Sequence, residues 1–400
     1  MSKRTASKVP QIRFKGFSGD WVEKKLGELT PLRGGFAFQS SQFCEVGIPI
    51  IKISNVLPSG NIGGVFAFYG EQEKDINYSL PNNAALLAMS GATTGKVSIL
   101  KKQHGLEKFY QNQRVGYFQD LGISDYSFIS TLVRSHFFAE KLDSVLVAGA
   151  QPNVSSKEID NFDFQIPKHK TEQQKIGGYF REVDRLIGLH QRKHDKLVTL
   201  KKAMLQKMFP QPGATTPEIR FKGFAGDWVE KKIHELFQVT RGNVLAATKT
   251  SPKQTKEAPY PVYSSQTKNN GLMGYYKSYL FEDAITWTTD GANAGTVRYR
   301  EGKFYSTNVN GVLLSDRGYA NRAVSESLNQ EAWKHVSHVG NPKLMNNVMS
   351  QIKIFVPDTI AEQQKIGTYF RTLDSLISKH AIQLQKLTQI KSACLERMFV

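Results

Sequence analysis

The chain has 400 residues and a formal net charge of +18. This length is enough for two or three domains with hydrophobic cores, and the charge predicts a polyanionic partner, most simply nucleic acid. The sequence shows neither a membrane-length apolar run nor an apolar stretch after its polar N-terminus, so we expect no membrane association and a cytoplasmic location. Cys44 and Cys394, the only cysteines, fit reduced thiols in that compartment.

The first part of the chain is predicted to be a mixed, mostly β domain. A basic tail, residues 1–9, precedes a segment that we call the opener, Pro10–Lys25. From the opener to Pro167, short apolar runs alternate with Gly, Pro and Asn, as is typical of short strands and turns. Predicted strands include Ile48–Ile53, Ala84–Met89 and Lys96–Leu100, and Tyr126–Leu142 is a predicted small helix.

A long helix is predicted next, within residues 168–209. It begins near Glu172-Gln173-Gln174-Lys175 and contains no proline. Its apolar residues recur at steps of three and four, which predicts an amphipathic helix of about 38 residues, roughly 57 Å long, with a narrow coiled-coil seam. The predicted seam residues are Ile176, Phe180, Val183, Ile187, Leu197 and Met204.

The whole pattern then repeats. After a linker, residues 210–216, the opener returns almost unchanged as Pro217–Lys232, and Glu362-Gln363-Gln364-Lys365 begins a second predicted helix. A repeat this long indicates a duplicated domain rather than a solenoid. The predicted domains are therefore 10–167 and 217–357, with spacer helices at 168–209 and 358–400. The second seam consists of Ile366, Phe370, Leu373, Ile377, Leu384 and Leu387.

The two variable blocks differ in content but share landmarks. Gly91–Val97 matches Gly291–Val297, Phe109-Tyr110 matches Phe304-Tyr305, and Gly149–Pro152 matches Gly340–Pro342. This pattern predicts one fold that carries two different surfaces.

Connectivity requires the two helices to run antiparallel if their seams pack. We therefore expect an α+β protein in which two mostly β domains are separated by a two-helix spacer, with approximate internal two-fold symmetry. A spacer of roughly 57 Å, about one and a half turns of B-DNA, would suit a bipartite duplex site.

The sequence carries no recognisable catalytic motif. Gly91–Lys96 has too few residues between its glycines for a phosphate-binding loop, Val97 follows where Ser or Thr is needed, and its counterpart ends in Thr296 instead of lysine. A tight turn is the better interpretation. Dinucleotide, zinc-protease and nucleophile-elbow motifs are not found, and neither is the tetrapeptide with which adenine methyltransferases hold their target. We predict no catalytic and no metal-binding residues.

Polar clusters in or beside the predicted turns are the candidate DNA contacts. Asn and Gln can pair bidentately with adenine, and Arg or Lys with guanine, in the major groove. Taken singly, such residues more often serve ordinary loop structure. The candidates are Lys52, Ser54, Asn55, Thr93, Thr94, Lys96, Asn112, Gln113, Arg114 and Asn153 in the first block, and Ser265, Gln266, Thr267, Lys268, Asn269, Asn293, Thr296, Asn308, Asn341 and Lys343 in the second.

At the duplicated opener and the duplicated Glu-Gln-Gln-Lys-Ile-Gly helix starts, the chain resembles the specificity subunits of type I restriction-modification enzymes. The resemblance covers essentially the whole length. It implies a non-catalytic subunit whose two target recognition domains each read one half of an asymmetric bipartite site in double-stranded DNA. It also implies two modification subunits that methylate adenine, and restriction subunits that translocate and cleave DNA. S-adenosylmethionine, ATP and Mg²⁺ would then be held by those partners, with no cofactor in this chain.

Two alternatives stay open from the residues. One is a self-contained DNA methyltransferase or endonuclease with a degenerate active site. The other is a coiled-coil adaptor whose basic charge is incidental.

Overall fold

A computed structural model describes residues 8–146, 153–265 and 268–400. Tail residues 1–7, the landmark at 149–152, and the candidates Gln266 and Thr267 lie outside the described residues. The chain divides into unit 1, Met1–His190 with Gln383–Val400, and unit 2, Gln191–Ile382. Each unit therefore contains one variable block, the first part of one long helix and the last part of the other.

Unit 1 has short strands in three sheets. One is a two-stranded ladder, β1-β10, and the others have the orders β2-β9-β6-β7 and β3-β5-β4-β8. Its elements are β1 (Val22–Lys25), α1 (Leu26–Leu29), β2 (Leu32–Arg33), β3 (Phe43–Cys44), β4 (Ile48–Ile51), β5 (Ala67–Tyr69), β6 (Ala85–Ala88), β7 (Val97–Ile99), β8 (Tyr110–Gln111), β9 (Val115–Phe118), α2 (Tyr126–Leu132), α3 (His136–Leu146), α4 (Ser156–Asp160) and β10 (Asp163–Ile166).

The predicted helix Tyr126–Leu142 is in fact two helices, α2 and α3. The break falls at Ser135, whose hydroxyl accepts a hydrogen bond from the Phe138 amide at 3.4 Å and so caps the start of α3. A serine inside an apolar run can thus begin a new helix where the apolar pattern alone suggests continuity.

The first long helix, α5 (Lys170–Lys207), begins in unit 1 and ends in unit 2. Unit 2 has a two-stranded ladder, β11-β18, and a six-stranded sheet of order β12-β17-β15-β16-β13-β14. Its elements are β11 (Val229–Lys232), α6 (Ile233–Leu236), β12 (Gln238–Arg241), β13 (Tyr260–Tyr263), β14 (Leu272–Tyr276), β15 (Phe281–Thr288), β16 (Val297–Ser306), β17 (Asn310–Leu314), α7 (Arg322–Glu331), α8 (Asn346–Gln351) and β18 (Lys353–Val356), followed by the second long helix, α9 (Ile360–Arg397). The predicted α+β fold class, with mixed sheets and two long helices, is confirmed.

Each unit contains a parallel ladder, and the two ladders have the same register. In unit 1, Ile50 pairs with Tyr110, and in unit 2 the matching residues Val262 and Tyr305 pair. The sheets differ because β16 is one continuous strand, whereas its counterpart in unit 1 is divided into β7 and β8. Because β16 is continuous, unit 2 has in one sheet the strands that unit 1 divides between two sheets.

The duplicated helix start is explained by a duplicated clamp. In unit 1, Arg13 of the opener binds both carboxylate oxygens of Glu172, at 2.7 and 2.8 Å, and donates to the Gly19 carbonyl at 2.6 Å. In unit 2, Arg220 makes the same bidentate contact with Glu362 at the same distances. Both glutamates are at most 1% exposed, so each opener neutralises a buried carboxylate at the start of the long helix.

The next residues of the motif contact two segments. The glutamine contacts the proline that precedes the helix, and the lysine contacts the opener. The Gln173 amide nitrogen donates to the Pro167 carbonyl at 2.9 Å, and Gln363 donates to Pro357 at 2.9 Å. Lys175 lies 5.1 Å from the ring centre of Phe17 in unit 1. These contacts give the Glu, the first Gln and the Lys of the repeated motif structural roles.

Antiparallel helix packing occurs inside each unit. In unit 1, Asp184 of α5 pairs with Lys391 of α9 at 2.7 Å, and in unit 2, Asp374 of α9 pairs with Lys201 of α5 at 2.9 Å. Phe180 packs 6.1 Å from Phe399. Of the predicted seam residues, Ile176, Phe180, Val183, Ile366, Phe370 and Leu373 are buried, whereas Ile187, Leu197, Met204, Ile377, Leu384 and Leu387 are half-buried. In the part of the chain that the structure describes, neither long helix nor any other helix has the length and apolarity to cross a membrane.

Candidate nucleic-acid interface

A hairpin turn with the same backbone occurs in both units. In unit 1 it joins β6 to β7, and the Gly95 amide donates to the Ala88 carbonyl at 2.9 Å. In unit 2 it joins β15 to β16, and the Gly295 amide donates to Thr288 at 2.9 Å. The first and last glycines of each turn have φ between +80° and +88°, which only glycine adopts without strain. A strand follows each turn instead of a helix, so the phosphate-loop alternative is excluded by the fold.

A second turn is equally duplicated. It joins β8 to β9 in unit 1, where the Val115 amide donates to Asn112 at 3.0 Å, and β16 to β17 in unit 2, where Asn310 donates to Thr307 at 3.1 Å. Gln113 and Asn308 occupy the same exposed position in these turns. Both side chains are amides that can hydrogen-bond a base edge or a backbone group.

A third segment pairs with the first turn in each unit. An isolated β-bridge connects Ser90 with Asn153 and, at the matching place, Asp290 with Lys343. The amide of Met89 donates to the Arg114 carbonyl at 3.0 Å, which ties the first turn to the second. We call the set formed by 90–96, 112–114 and 153 in unit 1, and by 290–296, 307–309 and 341–343 in unit 2, the recognition edge.

Most of the sequence candidates lie on the recognition edge, and their exposure differs. The exposed ones are Lys96, Gln113, Arg114, Asn153, Asn308, Asn341 and Lys343, and the half-exposed ones are Thr93, Thr94, Asn112, Asn293 and Thr296. Arginine and lysine ends with neighbouring amides and hydroxyls form a chemically suitable surface for phosphates and base edges. The fold thus brings together residues that are up to 60 positions apart in the sequence, as Thr93 and Asn153 are.

The candidates after β4 behave differently from one another. Ser54 is exposed and Lys52 is half-exposed, with its ammonium 5.9 Å from the Phe43 ring centre. Asn55 is 1% exposed, and its side chain is hydrogen-bonded inside unit 1. Lys52 and Ser54 are therefore accessible to solvent, whereas Asn55 is enclosed.

The matching loop of unit 2 lies between β13 and β14. Ser265 is half-exposed, and Asn269 is exposed with φ of +51°, a left-handed conformation that asparagine tolerates. Lys268 begins the short turn that contains Asn269. The Ser264 hydroxyl lies 3.1 Å from that of Thr307, so this loop adjoins the recognition edge.

Two arginines beside these segments, the half-buried Arg33 and the buried Arg300, were not predicted from the sequence. Arg33 donates to the Gln111 side-chain oxygen at 2.9 Å and lies 5.0 Å from the Tyr117 ring centre. Arg300 donates to the Asn270 carbonyl at 2.8 Å and lies 3.7 Å from the Tyr263 ring centre. Burial lowers the pKa of both guanidinium groups, that of Arg300 to about 10. Arg300 therefore stays charged at neutral pH. No sequence pattern marked either arginine.

Within the described ranges, no group of three or more His, Cys, Asp or Glu side chains could hold a metal ion. The charged residues at the end of the opener, Glu23 to Lys25, lie on β1. Lys24 and Lys25 pair with Glu28 and Asp163 there. These are ordinary surface ion pairs at the edge of a ladder.

Comparison with known proteins identifies one family. A family model described as the type I restriction modification DNA specificity domain matches residues 18–199 and, a second time, residues 225–391. The two matches cover most of the chain and correspond to the two repeats.

Individual relatives carry the same description. A Mycoplasma pneumoniae protein named as the N-terminus of a type I specificity subunit is 38% identical over 148 residues, which are 35% of this chain and 75% of that protein. The specificity subunit of the type I restriction enzyme MpnII, from the same organism, is 32% identical over 150 residues, 36% of this chain and 43% of the relative. The MjaVIII specificity subunit of Methanocaldococcus jannaschii is 27% identical over 195 residues, 46% of this chain and 44% of the relative. The aligned segment thus spans less than half the length of these last two relatives.

A solved structure has the same fold. The crystal structure of the S subunit of a type I restriction-modification system from M. genitalium matches with a TM-score of 0.73 at 16% identity, over 98% of this chain and 99% of that one. At this identity the match establishes the fold alone.

Proposed function

Because the chain belongs to the type I restriction-modification DNA specificity family, we propose that it reads an asymmetric bipartite site in double-stranded DNA, with one half-site read by each unit. The observation that carries this proposal is the recognition edge, which has the same backbone in both units and different side chains. Arg114 in unit 1 corresponds to Val309 in unit 2, and Asn153 corresponds to Lys343. Two surfaces with one frame and unlike chemistry are suited to two different half-sites.

The positive charge supports a duplex partner. A net charge of +18 supplies the sequence-independent attraction to phosphates, and exposed amides and basic groups at the recognition edge supply base readout. The proposed readers are the exposed and half-exposed candidates described above. Asn55 is left out because both of its amide hydrogens bind protein carbonyls.

The proposal includes partners that carry the chemistry. Two modification subunits would dock on the long helices and methylate adenine with S-adenosylmethionine, and restriction subunits, which use ATP and Mg²⁺, would join them. Support comes from family membership and from exposed apolar residues on the helices, such as Val198 and Ile382. In this proposal 10–167 and 217–357 act as the recognition domains, and 168–209 and 358–400 act as the spacer helices.

An exchange of the second variable block tests the proposal. Residues 232–356 would be replaced by the corresponding block of another family member, and methylated adenines would be mapped in cells that also express the modification subunits. We expect one half of the methylated motif to change and the other half to persist. Lengthening α5 should alter only the gap between the halves.

Three results would contradict the proposal. They are a methylated motif that is unchanged when this chain is deleted, a block exchange that alters both halves, and methyl transfer or cleavage by the isolated chain with DNA, Mg²⁺ and S-adenosylmethionine. Binding should also weaken steeply with salt, whereas an adaptor with incidental charge would show no sequence preference at any salt concentration.

A further inference from the structure

Asn55, a candidate base contact, instead holds a loop of unit 1 in place. Its side-chain oxygen accepts from the Lys52 amide at 3.0 Å, and its amide nitrogen donates to the carbonyls of Gly63 and Val65 at 2.9 and 3.0 Å. A primary amide has two N–H donors, and both are used here. Asn55 therefore has no donor left for a base, but it fixes the backbone of residues 63–65.

Val65 projects from that loop between two anchored points. Asn55 holds its carbonyl, and the next residue, Phe66, packs edge-on against Phe109 with ring centres 5.8 Å apart. Gly64 has φ of +85°, and the Val65 side chain is 90% exposed. A single exposed valine is ordinary on a protein surface. Here, however, a buried amide and an aromatic contact hold its backbone, so the direction in which its side chain leaves the loop is defined.

This loop is joined to the recognition edge. The Thr93 hydroxyl donates to the Ile53 carbonyl at 3.2 Å, and the Gly63 amide donates to the Asn55 carbonyl at 3.1 Å. The turn at 53–55 therefore links the loop to the hairpin turn at 90–96. Lys52 precedes the turn at 53–55 and Lys96 is the last residue of the hairpin turn, so each of the two linked segments has a basic residue that can contact phosphates.

We infer that Val65 contacts the C5-methyl group of a thymine in the major groove, with Asn55 as the positioning residue. This inference rests on the proposed function and names one base that unit 1 reads. Thymine is the only standard base with a methyl group in the major groove, and apolar side chains recognise it by contact. The half-site of unit 1 must then contain a thymine.

Deoxyuridine tests the contact because it differs from thymidine only by that methyl group. The full chain in complex with its modification subunits would be titrated with its mapped target duplex, in which each thymine is replaced singly by deoxyuridine. At one position in the half-site of unit 1, we expect the replacement to weaken binding about fourfold, the value of burying one methyl group. Val65→Ala should weaken binding to the thymine duplex by a similar factor and should remove the sensitivity to deoxyuridine at that position.

Two further variants separate this contact from general effects. Val46→Ala is the matched control, because Val46 is 86% exposed and lies in the turn before β4, at the end of that strand opposite Lys52. It should keep the full deoxyuridine effect. Asn55→Asp replaces the donors that bind Gly63 and Val65, so it should reduce the deoxyuridine effect while the other half-site is still recognised.

The outcomes distinguish this inference from the proposed function. A specific bipartite site without thymine in the half-site of unit 1 would overturn the inference and leave the proposed function standing. So would a deoxyuridine effect that persists unchanged in Val65→Ala. Binding without any sequence preference would overturn both.

Discussion

The two units have the same backbone frame but differ in the loop that follows the first strand of the parallel ladder, β4 in unit 1 and β13 in unit 2. In unit 1 this loop, 52–66, is held by a buried amide and exposes a valine. In unit 2 the matching loop, 264–271, places Asn269 and Asn270 in left-handed conformations, and Arg298 and Arg300 bind Asn270. Both loops begin at the same register of the ladder. Backbone hydrogen bonds therefore keep the frame constant, while the side chains at its edge can change without disturbing the core.

A similar contrast exists where each long helix packs against a shorter helix of its own unit, α5 against α2 in unit 1 and α9 against α7 in unit 2. A Cβ atom at Gly177 would lie 2.2 Å from the Ser127 hydroxyl and 2.4 Å from the Phe128 amide nitrogen. At the matching Gly367 the nearest atom would be Arg322 Cβ at 3.3 Å. The same motif thus supports a tight contact in unit 1 and a looser one in unit 2.

The largest expected effect on stability comes from breaking the arginine–glutamate clamp that occurs once in each unit. Arg13→Ala should destabilise unit 1 and Arg220→Ala should destabilise unit 2, each by about 3 to 5 kcal/mol, because a buried carboxylate loses its partner. Amide hydrogen exchange of the full chain, read separately for each unit, measures this. Lys24→Ala, which removes an exposed ion pair, serves as the control and should change protection little. Unaltered exchange around Glu172 in Arg13→Ala would show that the clamp is not stabilising.

Alanine substitution of the helix glycines tests this difference in packing between the units. Gly177→Ala should destabilise unit 1 by about 2 kcal/mol through overpacking, and Gly367→Ala should cost less because at 3.3 Å its neighbour Arg322 needs to move less. Gly178→Ala is the adjacent control. Its added methyl meets nothing within 4 Å, so helix propensity should stabilise unit 1 by up to about 1 kcal/mol. Calorimetry of the full chain gives the values, and equal losses for Gly177→Ala and Gly367→Ala would contradict the difference in packing.

Each unit should determine the base preference in its own half-site. Arg114→Ala and Asn308→Ala should each weaken specific binding about tenfold and relax base preference in one half-site only, a different half for each variant. Competition binding with duplexes altered in one half-site measures this. Lys222→Ala, an exposed lysine in the second opener, is the control and should leave both preferences unchanged. Relaxation of the same half-site by both variants would refute the assignment of one half-site to each unit.

Lowering the pH should have the smallest effect on stability, and its effect should differ between the two units. Burial raises the pKa of Asp184, but the nearby Arg134 and Lys391 outweigh it and hold that pKa below its ordinary value. Because the folded-state pKa is depressed, this carboxylate stabilises unit 1 above its unfolded-state pKa, and the contribution is lost as pH falls through the folded-state pKa. Asp184→Asn should therefore flatten the acid limb of stability against pH for unit 1.

Glu326 of unit 2 should behave in the opposite way. Burial raises its pKa above the ordinary value although Lys201 and Arg322 oppose this. Its ionisation therefore disfavours the folded state as pH rises through the ordinary glutamate range. Glu326→Gln should stabilise unit 2 at neutral pH by up to about 1 kcal/mol, with no gain at pH 3. Thermal unfolding at both pH values measures the change, and a loss at neutral pH would contradict the sign.

The candidate site could be predicted in part. The duplicated glycines of the hairpin turns identified equivalent places in both units, because a positive φ restricts the residue type. Asn55 shows the limit. In sequence it is one more polar residue beside a turn, and only the positions of the Gly63 and Val65 carbonyls make it a clamp. Val65, Arg33 and Arg300 carried no pattern that separates an exposed or buried side chain from its neighbours.

What the sequence by itself determined is the duplication, the two long helices and the family, since apolar periodicity and repeated motifs are local properties of the chain. The tertiary structure decided which residues meet at the recognition edge and which polar groups are consumed inside the protein. Those outcomes depend on hydrogen bonds between segments far apart in the chain, such as Met89 with Arg114 and Asn55 with Val65. No local pattern encodes such a pairing, because each partner is an ordinary residue until the fold brings the other beside it.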